Sequence, residues 1–124
     1  MTHPSPIAQT VLVVEDEGLV RLDAVETLRE AGFDVVEADD AAAALDIVAG
    51  RADIGVLFTD INMPGAMNGI ELARCIHRTH PAIELILTSG AVTPAPDEIP
   101  DDGVFLAKPY SPEAVTSAVS RKLA

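Results

Sequence analysis

The amino-acid sequence predicts an α/β fold in which one doubly wound, five-stranded parallel sheet carries helices on both faces. Short apolar runs alternate along the chain with longer segments of helical period, the pattern of repeated strand and helix units. Hydrophobic residues make up 48% of the 124 residues but aromatic residues only 3%, so Val, Ile, Leu and Ala must build the core. A chain of this length is expected to form one domain.

The strands are assigned to short apolar runs that end at polar or turn residues. The run at 54–59 is almost entirely apolar, which indicates a central strand buried on both faces. The strand order expected for such a sheet is 2-1-3-4-5. The five strands are predicted at 10–14, 33–38, 54–59, 83–88 and 104–107.

The helices are bounded by capping residues and by glycine. Gly32 lies just past the end of the first helix, which follows strand one. Asp39 or Asp40 caps an alanine-rich second helix over 41–49. The third helix is predicted over about 68–79, and the last begins after Ser111 as N-cap and Pro112 as first helical residue.

The helical pattern weakens between strands four and five. The segment GAVTPAPDEIPDDG, residues 90–103, contains Pro94, Pro96 and Pro100. Proline inside a helix removes a hydrogen bond and clashes with the preceding turn. We therefore expect a fourth helix that is short or disordered.

Charge and terminal composition exclude several classes of function. Twenty acidic against eight basic residues give a formal charge of −12, which repels phosphate backbones and anionic lipid. Direct binding to nucleic acid or to a membrane is therefore not expected. Residues 1–9 are polar, contain Pro4 and Pro6, and are expected to form a flexible tail before a domain at 10–124. Because the chain shows neither a signal peptide nor an apolar span, we expect it in the cytoplasm.

Polar side chains end four of the predicted strands. Glu15 and Asp16 follow strand one, Asp60 follows strand three, Ser89 follows strand four and Lys108 follows strand five. Parallel strands place their carboxyl ends at one edge of the sheet, where ligands of such folds bind. Three carboxylates there require protons or a cation, and Mg²⁺ suits them, with Mn²⁺ as an alternative. The lysine and the serine can bind oxygens of an anionic group.

Four motifs at these strand ends, in order along the chain, are VLVVEDE, LFTDINMPG, LILTSG and FLAKPY. Together they resemble the receiver domain of two-component response regulators, of the CheY-like, single-domain type. The resemblance extends from about Thr10 to the C-terminus and implies the flavodoxin-like version of the predicted fold.

The resemblance implies a phosphoryl acceptor with a metal beside it. Asp60 would take a phosphoryl group from a histidine kinase or a phosphotransfer protein and become an aspartyl phosphate. Asp16 and Asp60 would bind Mg²⁺ directly, Asn62 would contribute its backbone carbonyl, and Glu15 would act through water.

The resemblance also implies phosphoryl-binding and switch residues. Ser89 and Lys108 would bind phosphoryl oxygens, and Phe105 would turn inward when the Ser89 hydroxyl moves toward the phosphoryl group. Ser89 is preferred to Thr88 because neighbouring strand residues point to opposite faces and Gly90 follows. The remaining residues expected beside the site are Thr88, Ala91, Pro109, which would follow a cis peptide bond, and Tyr110, which would extend the surface of Phe105.

Four features depart from the family pattern. Glu15 stands where many receivers have aspartate, and Ser89 where threonine is commoner. The loop MPGAMNG is one residue longer than the usual spacing. The proline-rich segment 90–103 departs most, because it replaces a helix of the usual output face.

We expect a stand-alone receiver that changes its affinity for an unspecified downstream protein when it is phosphorylated, rather than a turnover enzyme. Three alternatives remain: a phosphate sink, a pseudo-receiver that binds partners without phosphorylation, and an aspartyl-phosphate phosphohydrolase. The hydrolase typically needs a second aspartate two positions after the nucleophile, and this chain has Asn62 there.

Overall fold

A computed structural model describes residues 8–100 and 102–124 of the chain. The predicted tail lies outside the described residues except for Ala8 and Gln9. None of the helices in the described ranges is long and apolar enough to cross a bilayer. The elements are β1 Thr10–Val14, α1 Gly18–Glu30, β2 Val35–Ala38, α2 Ala41–Gly50, β3 Ile54–Asp60, α3 Gly69–Thr79, β4 Glu84–Ser89, β5 Val104–Ala107 and α4 Pro112–Leu123.

The five strands form one parallel sheet in the order β2-β1-β3-β4-β5, which confirms the predicted fold. Every residue of β1 and of β3 is buried, as expected for strands covered on both faces. Val14 at the end of β1 lies in register with Thr59, one residue before the end of β3. The two central strands therefore end side by side.

The core lies on both faces of the sheet. Leu12 and Leu57 belong to the face that packs against α2 and α3, and Val13 and Phe58 belong to the face that packs against α1 and α4. Adjacent strand residues thus point to opposite faces, so each central strand contributes apolar side chains to two cores. The ends of these strands are held in position from both sides.

The helix boundaries follow from local caps. The Asp40 side chain accepts a hydrogen bond from the Ala43 amide, and Ser111 caps α4 through the Ala114 amide. Asn68 and Glu71 form a reciprocal capping box at the start of α3.

Strand β2 begins two residues later than predicted. Gly32 has a φ of 96° and directs the Phe33 amide to the Leu28 carbonyl. This bond closes the end of α1 in the manner of a helix C-cap. Phe33 therefore belongs to the helix end, and the strand starts at Val35.

The segment between β4 and β5 contains one 3-10 turn, Pro96–Glu98, in place of a full helix. This confirms the expectation that the helix between β4 and β5 is short. Ile99 and Phe105 are only partly buried where they pack against the core on this side. Lys122 near the end of α4 donates to the Asp102 carbonyl and pairs with Glu84, which connects this segment through α4 to the start of β4.

Replacing Gly69 by alanine should destabilise the domain. A Cβ there would lie 2.8 Å from the Asp60 carbonyl carbon and from Ile61 Cα, and closer still to the Asp60 carbonyl oxygen. We expect Gly69→Ala to lower the free energy of unfolding by about 1–3 kcal/mol, the range found for overpacked sites. Urea unfolding followed by circular dichroism measures this.

Gly18→Ala provides the matched control, because a Cβ at Gly18 meets nothing within 4 Å and the position begins a helix. It should leave stability unchanged or raise it by up to about 1 kcal/mol. Equal midpoints for the two variants would contradict the proposed overlap.

Candidate functional site

Three carboxylates meet where the central strands end. Glu15, Asp16 and Asp60 each place a carboxylate oxygen within 4.8 Å of the others. Glu15 and Asp16 directly follow β1, and Asp60 is the last residue of β3, so the register of the two strands brings the three together. Glu15 and Asp60 are buried, at 5% and 7% exposure, whereas Asp16 is exposed.

Lys108, which follows β5, reaches across to this acidic cluster. Its ammonium nitrogen lies 2.6 Å from Glu15 Oε1 and 3.4 Å from Asp60 Oδ1. One ammonium against three carboxylates leaves a formal charge of −2 in the cluster. The site is therefore built to receive further positive charge.

Burial and pairing alter the protonation of the cluster in opposite ways. Burial raises the pKa of Glu15 and of Asp60 above their usual values, although the hydrogen bond and charge of Lys108 oppose the rise. Burial alone would lower the pKa of Lys108, but the hydrogen bond to Glu15 and the charge of Asp60 outweigh it and raise that pKa. The lysine consequently stays charged while the carboxylates are held at an energetic cost.

The Ser89 hydroxyl lies beside the loop that follows Asp60. Its oxygen accepts a hydrogen bond of 3.0 Å from the Asn62 side-chain amide and bonds of 3.2 Å from the Ala91 and Val92 amides. Thr88 is buried, and its carbonyl accepts from the Ile61 amide at 2.8 Å. Of the two hydroxyls, that of Ser89 contacts the loop after Asp60.

The two aromatic residues near Lys108 lie on opposite faces of the sheet, which differs from the expectation that they share a surface. Phe105 packs against the core that contains Leu57, whereas Tyr110 packs with Phe58, ring edge to ring face, at a centroid distance of 5.9 Å. The reason is that Phe105 keeps the alternation of β5, while Tyr110 lies beyond the strand and turns toward α1 and α4. The Lys108 to Pro109 bond is cis.

The sequence did not identify Arg21 as a site residue. Its guanidinium donates to the Glu15 carbonyl at 2.8 Å and to the Glu37 carboxylate at 2.9 Å. It thereby fixes the backbone that carries the acidic pair. No motif or spacing distinguishes this arginine from other polar residues of α1.

An open groove of about 540 Å³ lies next to the cluster. Its walls are mainly apolar, and Leu19 beside it is 84% exposed. The residues that line it are Leu19, Val20, Asp23, Gly90, Lys108, Pro109 and Tyr110.

Comparison with known proteins shows the family. The profile described as "Response regulator receiver domain" matches residues 11–120. The chain therefore belongs to the response regulator receiver domain family of two-component systems, as its motifs predicted. Receiver domains are signalling domains that interact with histidine kinases or phosphotransfer proteins and bind Mg²⁺ at an acidic pocket.

Several curated relatives are similar to this chain. The response regulator receiver protein CpdR of Brucella abortus is 32% identical over 91% of this chain and 95% of its own length. The sensor kinase CckA of the same organism is 38% identical over 92% of this chain but only 12% of its own length. The response regulator FleR of Pseudomonas aeruginosa is 33% identical, with 24% of its length covered. The chain thus corresponds to nearly all of the first relative and to a small part of the other two.

Solved structures give the same result. A response regulator receiver protein from Sinorhizobium medicae has a TM-score of 0.81 and 31% identity, with 96% of this chain and 97% of that chain covered. The receiver domain of the hybrid histidine kinase CckA has a TM-score of 0.80 and 29% identity, with 93% and 99% covered. The receiver fold is therefore shared over the whole domain.

Removing the Asp60 charge should stabilise the protein in the absence of divalent ions. Burial raises the pKa of folded Asp60, so the folded state holds the Asp60 proton more strongly than the unfolded state does. The stabilisation from this proton is complete below the unfolded pKa of about 4 and is lost as the pH rises through the folded pKa. We expect Asp60→Asn to melt higher than the wild type near pH 7.5, by roughly 3–5 °C if the relief is about 1 kcal/mol. The difference should vanish near pH 3.5.

Calorimetry in EDTA at both pH values measures this effect. Asp46→Asn, at an exposed position on α2, is the matched control and should show no comparable gain. A melting-temperature difference between Asp60→Asn and the wild type that is independent of pH would contradict the electrostatic origin.

Proposed function

We propose that this chain is a phosphoacceptor that receives a phosphoryl group on Asp60 from a histidine kinase or a phosphotransfer protein and signals through phosphorylation-dependent protein contacts. The observation that supports it is the buried Asp60 carboxylate, with two further carboxylates within 4.8 Å and an ammonium at 3.4 Å. These groups surround the position that an arriving phosphoryl group would occupy. The proposed receiver unit spans residues 10–124.

The donor set suits a hard divalent ion. Asp16 and Asp60 would bind Mg²⁺ or Mn²⁺ directly, the Asn62 backbone carbonyl would complete the protein ligands, and Glu15 would act through water. When bound, such an ion neutralises the charge on phosphoryl oxygens and on the attacking carboxylate. The formal charge of −2 left after pairing with Lys108 matches one divalent cation.

The side chains of the protein would carry out phosphoryl transfer and its reversal. An oxygen of Asp60 forms a P–O bond while the P–N bond to the donor imidazole breaks, and the imidazole keeps the electron pair and takes a proton. The Lys108 ammonium nitrogen lies 3.4 Å from Asp60 Oδ1. It would weaken its bond to Glu15 in order to contact a phosphoryl oxygen. The Ser89 hydroxyl would donate to another oxygen. Attack of water on phosphorus later breaks the P–O bond and restores Asp60.

The arrangement favours signalling over turnover of a metabolite. Asn62 occupies the place where a phosphohydrolase would need an acid, and its amide donates to Ser89. An amide cannot transfer a proton as a carboxylic acid does. Phe105 on β5 is the proposed switch residue: it would turn inward when the Ser89 hydroxyl moves toward the phosphoryl group, and so would change the surface that a partner contacts.

Phosphotransfer from a phosphorylated histidine kinase tests the acceptor. Asp60→Asn should abolish labelling, and Lys108→Ala should slow it by roughly a hundredfold, the effect of removing one charged donor from a transition state. Radiolabel incorporation over time measures both rates.

Lys122→Ala, at the far end of α4, removes a lysine away from the site and should leave the labelling rate unchanged. Label that persists on Asp60→Asn would place the acceptor elsewhere. A wild type that takes no label from any kinase or from acetyl phosphate would support the pseudo-receiver alternative.

Metal binding has an independent readout in thermal stability. Mg²⁺ at ten times its dissociation constant should stabilise the wild type by about 1.4 kcal/mol, since it binds only the folded state. Asp16→Asn should lose most of this gain because it removes one direct ligand, whereas Asp23→Asn on α1 should keep it. Melting curves with and without Mg²⁺ measure the difference, and an equal gain in both variants would exclude Asp16 as a ligand.

A further inference from the structure

The Ser89 oxygen is the acceptor for three N–H groups. Two of them, the amides of Ala91 and Val92, belong to the chain that directly follows Ser89. The third is the side-chain amide of Asn62, 27 positions away in sequence. Ser89 is buried, at 2% exposure, so these bonds fix its hydroxyl in one place.

The three contacts differ in what they join. The Ala91 and Val92 amides form a local turn with Ser89 and move together with it. Asn62 belongs to the loop that starts after Asp60, so its amide is a direct side-chain connection between that loop and the end of β4. A change in the position of Ser89 relative to Asp60 therefore acts on the contact with Asn62 first.

In the described part of the chain the Ser89 hydroxyl makes no hydrogen bond to Asp60. A hydroxyl oxygen has two lone pairs, and three donors already share them, so only the hydroxyl hydrogen remains to be donated. The three N–H groups restrict the directions in which that hydrogen can point. Turning it toward a phosphoryl oxygen on Asp60 would strain the bond from Asn62 most, because that bond joins Ser89 to a separate loop.

We propose that the side-chain amide of Asn62 is a positioning residue that holds the Ser89 hydroxyl in the unphosphorylated arrangement and thereby sets how readily the domain switches. The inference rests on the proposed function of Asp60. An interaction made in only one of two states shifts the balance toward that state by its own free energy. Loss of the amide should therefore favour the phosphoryl-bound form.

Beryllofluoride, a tetrahedral phosphoryl analogue, gives an equilibrium readout without phosphotransfer or hydrolysis. Asn62→Ala keeps the backbone carbonyl that the metal would use but removes the N–H donor. It should bind beryllofluoride with Mg²⁺ about threefold to tenfold more tightly than the wild type, the range that one net hydrogen bond gives. Asn62→Leu, which has similar size and no donor, should show the same tightening.

A double-mutant cycle separates positioning from a general change in the loop. In a Ser89→Ala background the acceptor is absent, so Asn62→Ala should no longer change the affinity. Asn68→Ala is the matched control, because it removes the α3 cap at the other end of the same loop. It should lower the melting temperature and leave the affinity unchanged.

The outcomes are distinguishable. Equal or weaker binding by Asn62→Ala and Asn62→Leu, with normal binding by the wild type, overturns the positioning role and leaves the acceptor role standing. The same tightening in the Ser89→Ala background also overturns it. A wild type that binds no beryllofluoride overturns both the positioning role and the proposed function.

Discussion

Repulsion among three carboxylates within 4.8 Å of one another is the constraint on which the rest of this structure depends. Such a cluster persists only if the backbone holds it, because the two buried carboxylates, Glu15 and Asp60, would be more stable in water. The backbone does so through β1 and β3, which are buried along their whole length and are packed from both faces. Lys108 relieves part of the repulsion, and a bound cation would relieve the remainder.

The sheet is fully buried at its centre and only half-buried at one edge. Glu15 and Asp60 lie at the ends of β1 and β3, two of the three strands that have neighbours on both sides. Strand β5 is half-buried and is followed by Lys108, the residue that pairs with the cluster. One 3-10 turn covers the approach to this strand, so the edge carries fewer apolar contacts than the centre. The acidic part of the site thus lies in the buried centre of the sheet, and Lys108 lies at its less buried edge.

The sequence was sufficient for the positions of the strands and for the residues that meet at their ends, because these follow from apolar periodicity and from the geometry of parallel strands. The order of the strands came from the known topologies of such sheets. The sequence was also sufficient to predict that the helix between β4 and β5 is shortened, since proline disrupts a helix locally. It could not show that Asn62 donates to Ser89 or that Arg21 holds the Glu15 carbonyl, because these contacts join distant loops and carry no period. Tyr110 was expected to extend the surface of Phe105 but packs on the other face of the sheet, because beyond the end of a strand alternation no longer determines direction.

The packing around Asp60 leaves few ways for a charge placed there to act at a distance. The side chain is buried, β1 and β3 are filled on both faces, and Gly69 packs against the Asp60 carbonyl so closely that a methyl group would not fit. Movement toward α3 is therefore blocked. The neighbouring contacts are polar: Lys108 contacts both Glu15 and Asp60, and Ser89 accepts from Asn62. In the proposed phosphorylated form these contacts would exchange for contacts with phosphoryl oxygens. Both lie on the side of β4 and β5, so a response to phosphorylation would run toward the proline-rich segment and Phe105.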